Sequence, residues 1–221
     1  MRIKLFPLSL FFLVVFTVFS YSVAKEAWQQ VDFDTTVKLQ DHLSRKWDGF
    51  FSYFSLLGSA EVTIGFCLVM FFLSLIRRRL LAIIGWSMIV PATLVEVFGK
   101  LVLFHPGPPV FFHRSLLPTQ LPSFYVHTDF SYPSGHMTRT IFLITVFLVV
   151  ILFSWKASFK KNITIIMIIL LSLIMALTRI YLGEHWLSDV LGGSLLGLSF
   201  GLFAAALILF KKGVAKLDFF R

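Results

Sequence analysis

The stretch from Ser131 to Phe153, SYPSGHMTRT followed by IFLITVFLVVILF, decides how this chain folds. Its second part carries almost nothing but hydrocarbon, as a helix crossing a bilayer core must. Its first part is a tight polar turn ending in an arginine. Polar groups at the brink of a membrane helix cost free energy and usually face a bundle interior or a wet cavity. The turn therefore marks a functional site and the run marks the fold.

The rest of the chain follows the same pattern. Of 221 residues 57% are hydrophobic, 27 are Phe, and only 14% are charged. That composition excludes an ordinary soluble domain. Six spans are expected, roughly 4–24, 57–76, 80–104, 138–155, 162–181 and 187–210. Inside a bilayer every backbone group must be paired within its own segment, so these spans are helices and the fold class is all-α. The chain reads as one integral membrane domain over 1–221, with its core at 57–210. Residues 25–56 mix charges with Trp28, Val31, Phe33, Val37, Leu43 and Trp47. Either an amphipathic helix lying in the outer interface or a plain polar loop fits them. The start, MRIK with a following apolar stretch and SVA before Lys25, also resembles a cleaved secretory signal. Its apolar length favours a retained first span. The one cysteine, Cys67, lies in an apolar run and excludes an intrachain disulfide. The abundant Phe is read mainly as lipid-facing surface.

The net charge of +9 belongs to orientation, not to nucleic acid. One side of the spans collects Arg2, Lys4, Arg77, Arg78, Arg79, Lys156, Lys160, Lys161, Lys211, Lys212, Lys216 and Arg221. The other collects Lys25, Lys38, Arg45, Lys46 and Arg114, diluted by Glu26, Asp32, Asp34, Asp41, Asp48 and Asp129. The first side is then cytoplasmic, with both termini on it. Its basic edge also suits anionic lipid headgroups.

Lys100, Arg139, Arg179, His136, His185 and Asp189 remain, all at the outer ends of spans. His185 and Asp189 are four apart and share a helix face. A carboxylate beside an imidazole fixes its tautomer and strengthens the other nitrogen as base or nucleophile. Arg179 suits bidentate bonding to phosphate, and Lys100 adds a point charge. Ser134 offers a hydroxyl, and Gly135 lets an anion approach the N–H groups of a helix start. His136 can protonate a leaving oxygen. These parts make a phosphoryl-transfer site. Glu96, four before Lys100, is either a structural pair or a support for that lysine. Gly192, Gly193 and Gly197 are read as close-packing positions. His42, His113 and His127 are read as capping or interface residues, the last two also as entrance residues. His185 and Asp189 alone make a poor metal site, and none is expected.

The chain resembles the type 2 phosphatidic acid phosphatase family, whose core is shared with vanadium haloperoxidases. The family's motifs are Lys-x6-Arg-Pro, Pro-Ser-Gly-His and Ser-Arg-x5-His-x3-Asp. This chain has KLVLFHPGP from Lys100, PSGH from Pro133 and TRIYLGEHWLSD from Thr178, in that order. The resemblance covers spans two to six. It implies a six-helix membrane bundle with a metal-independent, cofactor-free site. By that resemblance His185 is a nucleophile forming a phosphohistidine, Asp189 orients it, and His136 is the general acid. Lys100, Ser134, Gly135 and Arg179 then hold the phosphate. Two departures stand out. Thr178 replaces Ser and keeps the hydroxyl. Gly107 stands where the pattern has Arg, which removes a phosphate ligand. His105, Arg114 and Arg139 are the candidates to replace it.

The expected activity is hydrolysis of a lipid phosphomonoester or pyrophosphate at the extracytoplasmic face of the cell membrane. By the resemblance, undecaprenyl pyrophosphate is the first substrate and phosphatidylglycerol phosphate the second, and the small size suits a bacterial enzyme. The expected partners are the lipid substrate and the bilayer, with no nucleic acid and no obligate protein. Three rivals are a phosphotransferase using the same intermediate, a non-catalytic lipid-binding or transport relative, for which Gly107 argues, and a haloperoxidase, against which the membrane architecture argues.

Overall fold

The computed structural model describes residues 2–117 and 130–210. His127, Asp129, Lys211, Lys212, Lys216 and Arg221, used above, lie outside the described residues. The helices are α1 (Leu5–Ala24), α2 (Gln29–His42), α3 (Asp48–Ser55), α4 (Ala60–Ile76), α5 (Leu80–Ser87), α6 (Ile89–Val102), α7 (Gly135–Ser154), α8 (Phe159–Tyr181) and α9 (Leu187–Ile208). Among the described residues no strand forms, and an isolated antiparallel bridge pairs Pro106 with Phe130.

Six stretches have the length and composition of membrane spans: Leu5–Ala24, Arg45–Ile76, Leu80–Val102, Gly135–Ser154, Phe159–Tyr181 and Leu187–Ile208. All six expected spans are present. The third is interrupted at Met88, between α5 and α6. Pro91 explains the break: it has no N–H to offer the Ser87 carbonyl four residues back. The fourth begins three residues earlier than expected, because the polar turn feeds straight into the helix. Ser134 caps α7, its Oγ accepting from the Met137 N–H at 3.5 Å.

The segment between the first two spans is helical. Helix α2 turns Asp32 and Thr36 inward, one turn apart, and leaves Val31 and Phe33 exposed. After a 3-10 turn at Arg45–Trp47, α3 runs through a second one at Leu56–Gly58 into α4. Helix α2 packs on α8 and α9, so this segment forms a lid of structure over one end of the bundle.

Helices α7 and α9 are the axis of the bundle, and most of their residues are buried, whereas α1 and α8 turn most of theirs outward. The reason is a glycine row on α9. A Cβ on Gly193 would sit 2.4 Å from the Ser134 carbonyl oxygen, on Gly197 2.3 Å from that of Thr138, and on Gly201 2.9 Å from that of Phe142. Three glycines at four-residue spacing thus meet three α7 carbonyls at the same spacing, the small-residue packing that membrane helices use. We expect Gly197→Leu to lower the unfolding midpoint in detergent, by about 1–3 kcal/mol or more for overpacking. Away from the site, Phe142, Val146, Trp86, Leu202 and Ala205 form the apolar core, and Cys67 is buried with them as a free thiol. Phe11, Phe72, Phe98 and Phe159 are exposed on the spans, while Phe16, Phe51, Phe112 and Phe142 are buried. At the opposite end Arg79 donates to the Ile208 carbonyl at 2.9 Å and so satisfies the C-terminus of α9.

Candidate active site

The C-terminal ends of α6 and α8 and the N-terminal ends of α7 and α9 meet at one end of the bundle. The four helices alternate in direction, which is why motifs separated by some 90 residues of chain converge. Tyr132 anchors the Pro-Ser-Gly-His turn: it is fully buried, and its hydroxyl pairs with Ser20 Oγ of α1 at 2.8 Å. The Ser134 N–H donates to the Asp189 carbonyl at 3.0 Å, which ties the turn to the first turn of α9.

His185 lies just before α9. Its Nδ1 is 3.3 Å from Asp189 Oδ2, and the same oxygen accepts from the Trp186 N–H at 2.9 Å. The i,i+4 spacing read from the sequence thus becomes a contact. With the Nδ1 hydrogen directed at the carboxylate, the lone pair is on Nε2. Burial, followed by the positive charges of Arg179 and Lys100, holds the His185 imidazole well below its ordinary range. It is neutral at physiological pH, the form that can act as a nucleophile.

Arg179 and Lys100 act on this imidazole, and Arg139 acts on that of His136. Arg179 is almost fully buried; its guanidinium donates to Ser55 Oγ and to Glu184, while its Nε has no partner among the described residues. Burial works to raise Glu184, but Arg179, His185 and a hydrogen bond to Ser115 together outweigh it and hold that carboxyl below the usual range. Lys100 Nζ donates to Glu96 Oε1 at 2.8 Å, and Arg139 Nη1 to Glu96 Oε2 at 2.8 Å. His136, on the first turn of α7, lies within electrostatic reach of Arg179, Arg139, His185 and Lys100. So Lys100, Ser134, Gly135, His136, Arg139, Arg179, His185 and Asp189 gather at one place. Such an assembly of cations, helix N–H groups and two imidazoles can hold a phosphate and transfer it.

Two residues named from the sequence are elsewhere. Arg114 donates to the Leu43 carbonyl at 3.2 Å and the Gln40 carbonyl at 3.1 Å, and lies over the Tyr181 ring. It fastens α2 to the bundle. His105 is behind Asp189, its Nε2 3.6 Å from Asp189 Oδ1 and 3.2 Å from Ser188 Oγ.

Asp32 is a residue the sequence reading passed over. From α2 its Oδ1 accepts from the Ser188 N–H at 2.8 Å and its Oδ2 from the Ser188 hydroxyl at 2.7 Å. Burial raises the Asp32 carboxyl, and the two Ser188 bonds oppose that. Because Ser188 donates to Asp32, it accepts from His105, whose Nε2 carries the hydrogen. The chain Asp32–Ser188–His105 therefore braces the Asp189 carboxylate from behind. Asp32→Ala leaves the Ser188 N–H unpaired and its hydroxyl with His105 alone, and about 1–3 kcal/mol of stability is expected to go with the lost bonds. Chemical unfolding in detergent measures it.

Comparison with known proteins agrees with this geometry. No curated protein matches the sequence. A phosphatidylglycerolphosphate phosphatase of Bacillus subtilis, described as the first transmembrane one of PAP2 type, shares the fold with a TM-score of 0.69 at 17% identity, over 89% of this chain and 93% of that one. LpxE of Aquifex aeolicus superposes with a TM-score of 0.57 at 19% identity, over 79% of this chain and 94% of its own. The family model of the PAP2 superfamily matches residues 80–212, a stretch that holds all three motifs. With six apolar spans and that match, this chain is a multi-pass membrane protein and a member of the PAP2 superfamily.

Proposed function

We propose that the protein is a lipid phosphatase acting through a covalent phosphohistidine. The observation that carries the reading is the neutral His185 held by Asp189 within reach of Lys100 and Arg179. In this mechanism His185 Nε2 attacks phosphorus, and the bond from phosphorus to the leaving oxygen breaks. His136 gives that oxygen a proton. Water then attacks the phosphohistidine, passes a proton back to His136, and releases phosphate. Lys100, Arg179, Ser134 and the α7 N-terminus at Gly135 stabilise the equatorial oxygens. The chemistry is expected to need no metal.

The positive-inside rule supports a site on the extracytoplasmic face, with both termini cytoplasmic. There a headgroup reaches the site while its tails stay in the bilayer. Undecaprenyl pyrophosphate and phosphatidylglycerol phosphate are the substrates put forward first. The B. subtilis neighbour is by its name a phosphatidylglycerolphosphate phosphatase, which supports the second.

The test is phosphate release by purified protein from these two lipids and phosphatidic acid, with EDTA present. Turnover of one of them supports the reading, and inactivity on all three opposes it. The pH profile adds a sign. Because His185 is held below the ordinary histidine value of about 6.5, its unprotonated form persists as pH falls through that value. The acid limb of kcat/KM for the preferred lipid is expected below about 6.5.

A further inference from the structure

We propose that Arg139 is the phosphate ligand that takes the place of the arginine missing at Gly107, and that Glu96 holds it there while the site is empty. The proposal rests on the phosphatase reading above.

Among the described residues nothing fills the position of the missing side chain. A Cβ on Gly107 would meet only Ser131, its Cβ at 3.5 Å and its Oγ at 3.9 Å, both ordinary contacts. The replacement must come from another element. Arg114 is committed to two backbone carbonyls and to the Tyr181 ring, and His105 to Ser188 behind Asp189.

Arg139 differs from both. It follows His136 by three residues, so the two side chains share a face of α7. It is 7% exposed, and its Nε has no partner among the described residues. Arg179 is a like charge acting on it, and Arg179 also has an Nε without a partner among the described residues. Two buried guanidiniums in mutual reach, each with an idle N–H, repel one another unless an anion joins them. Glu96 does not discharge this excess, because it also serves Lys100. Among the described residues the direct ion pairs of Lys100, Arg139 and Arg179 are with Glu96, which is shared by two of them, and Glu184.

Glu96 shows where an anion belongs. Its Oε1 lies 2.2 Å from where a Cβ on Gly135 would be, so the carboxylate rests against the first residue of α7. It touches an ammonium, a guanidinium and a helix start at once. Those are the donors a phosphate oxygen needs. The glutamate is a resident anion that keeps Lys100 and Arg139 aimed at that point.

The competing account is a purely structural Glu96–Arg139 ion pair, and three variants separate the two. Arg139→Gln is expected to raise KM for the best lipid substrate, and Kd for inorganic phosphate by calorimetry, by about 10- to 100-fold, the worth of one charge-assisted contact. The doubly neutral Glu96→Gln/Arg139→Gln repairs a structural pair but supplies no phosphate ligand, so its phosphate affinity stays low. Adding Gly107→Arg to that double variant is expected to recover tenfold or more. Parent-like phosphate affinity in Arg139→Gln, or recovery in the double variant alone, overturns the proposal. The double variant removes both charges of the Glu96–Arg139 pair and leaves only Lys100 without its carboxylate, so it provides the measurement if the single one misfolds. If the parent hydrolyses a lipid phosphate and Arg139→Gln does so equally well, this proposal fails and the phosphatase reading stands. If the parent neither hydrolyses these lipids nor binds phosphate, both fall.

Discussion

His185→Ala is expected to reduce lipid phosphate release by on the order of 10⁴-fold or more, with little change in folding. Removing the nucleophile from a covalent mechanism leaves only binding and electrostatic stabilisation, which retain a small residue of the rate. Among the described residues the side chain makes one hydrogen bond, to Asp189, and the backbone contact from its N–H to the Arg179 carbonyl at 3.2 Å survives the change. The unfolding midpoint should therefore stay near the parent's while turnover is lost. A direct readout accompanies the rate. Parent protein quenched during turnover of a labelled substrate should carry phosphate that is labile to acid and stable to alkali, as a phosphoramidate is. The alanine variant should carry none. Label retained in His185→Ala, or activity within tenfold of the parent, would remove His185 from the nucleophile's role. Asp189→Asn is expected to give an intermediate loss, because it keeps the shape but supports the wrong tautomer of the imidazole.

Much of this arrangement was legible in the chain because it is local. Hydropathy marked the six spans, and four-residue spacing paired Glu96 with Lys100 on one helix and His185, just before α9, with Asp189 in its first turn. The α9 glycines announced a close neighbour. What the sequence hid is long-range. Asp32 looks like one more acid in a mixed segment, yet it is 2% exposed and bonded to Ser188, 156 residues away. Nothing near Asp32 in the chain encodes that partner. The helical character of 25–56 was undecided for the same reason. The inward face of α2 holds Asp32 and Thr36, and Val31 and Phe33 turn outward, so a burial pattern read from polarity inverts. Arg139 could not be separated from His105 and Arg114 without knowing that its neighbour is Glu96, on another span. The three candidates are chemically similar in sequence and differ only in what already occupies them.

His136→Ala is expected to show a loss that depends on the leaving group. For a lipid phosphomonoester the departing alkoxide is strongly basic and needs a proton as the bond breaks, so the loss should be about 10²–10⁴-fold. For para-nitrophenyl phosphate the departing phenolate is stable without one, and the loss should be about tenfold or less. The structure gives the imidazole a fixed seat for this task. A Cβ on Gly58 would fall 3.1 Å from His136 Cδ2, 3.0 Å from Thr140 Oγ1 and 3.2 Å from Met175 Cε, so the ring is backed on that side by the turn leading into α4 and by α8. The charges of Arg179, Arg139 and Lys100, where the phosphate is expected, lie within electrostatic reach of it. A residue that only shaped the pocket would lose both substrates equally. A general acid loses the one that needs the proton, so the ratio of the two losses separates the roles without reference to absolute rate. Equal losses on the two substrates would assign His136 to binding.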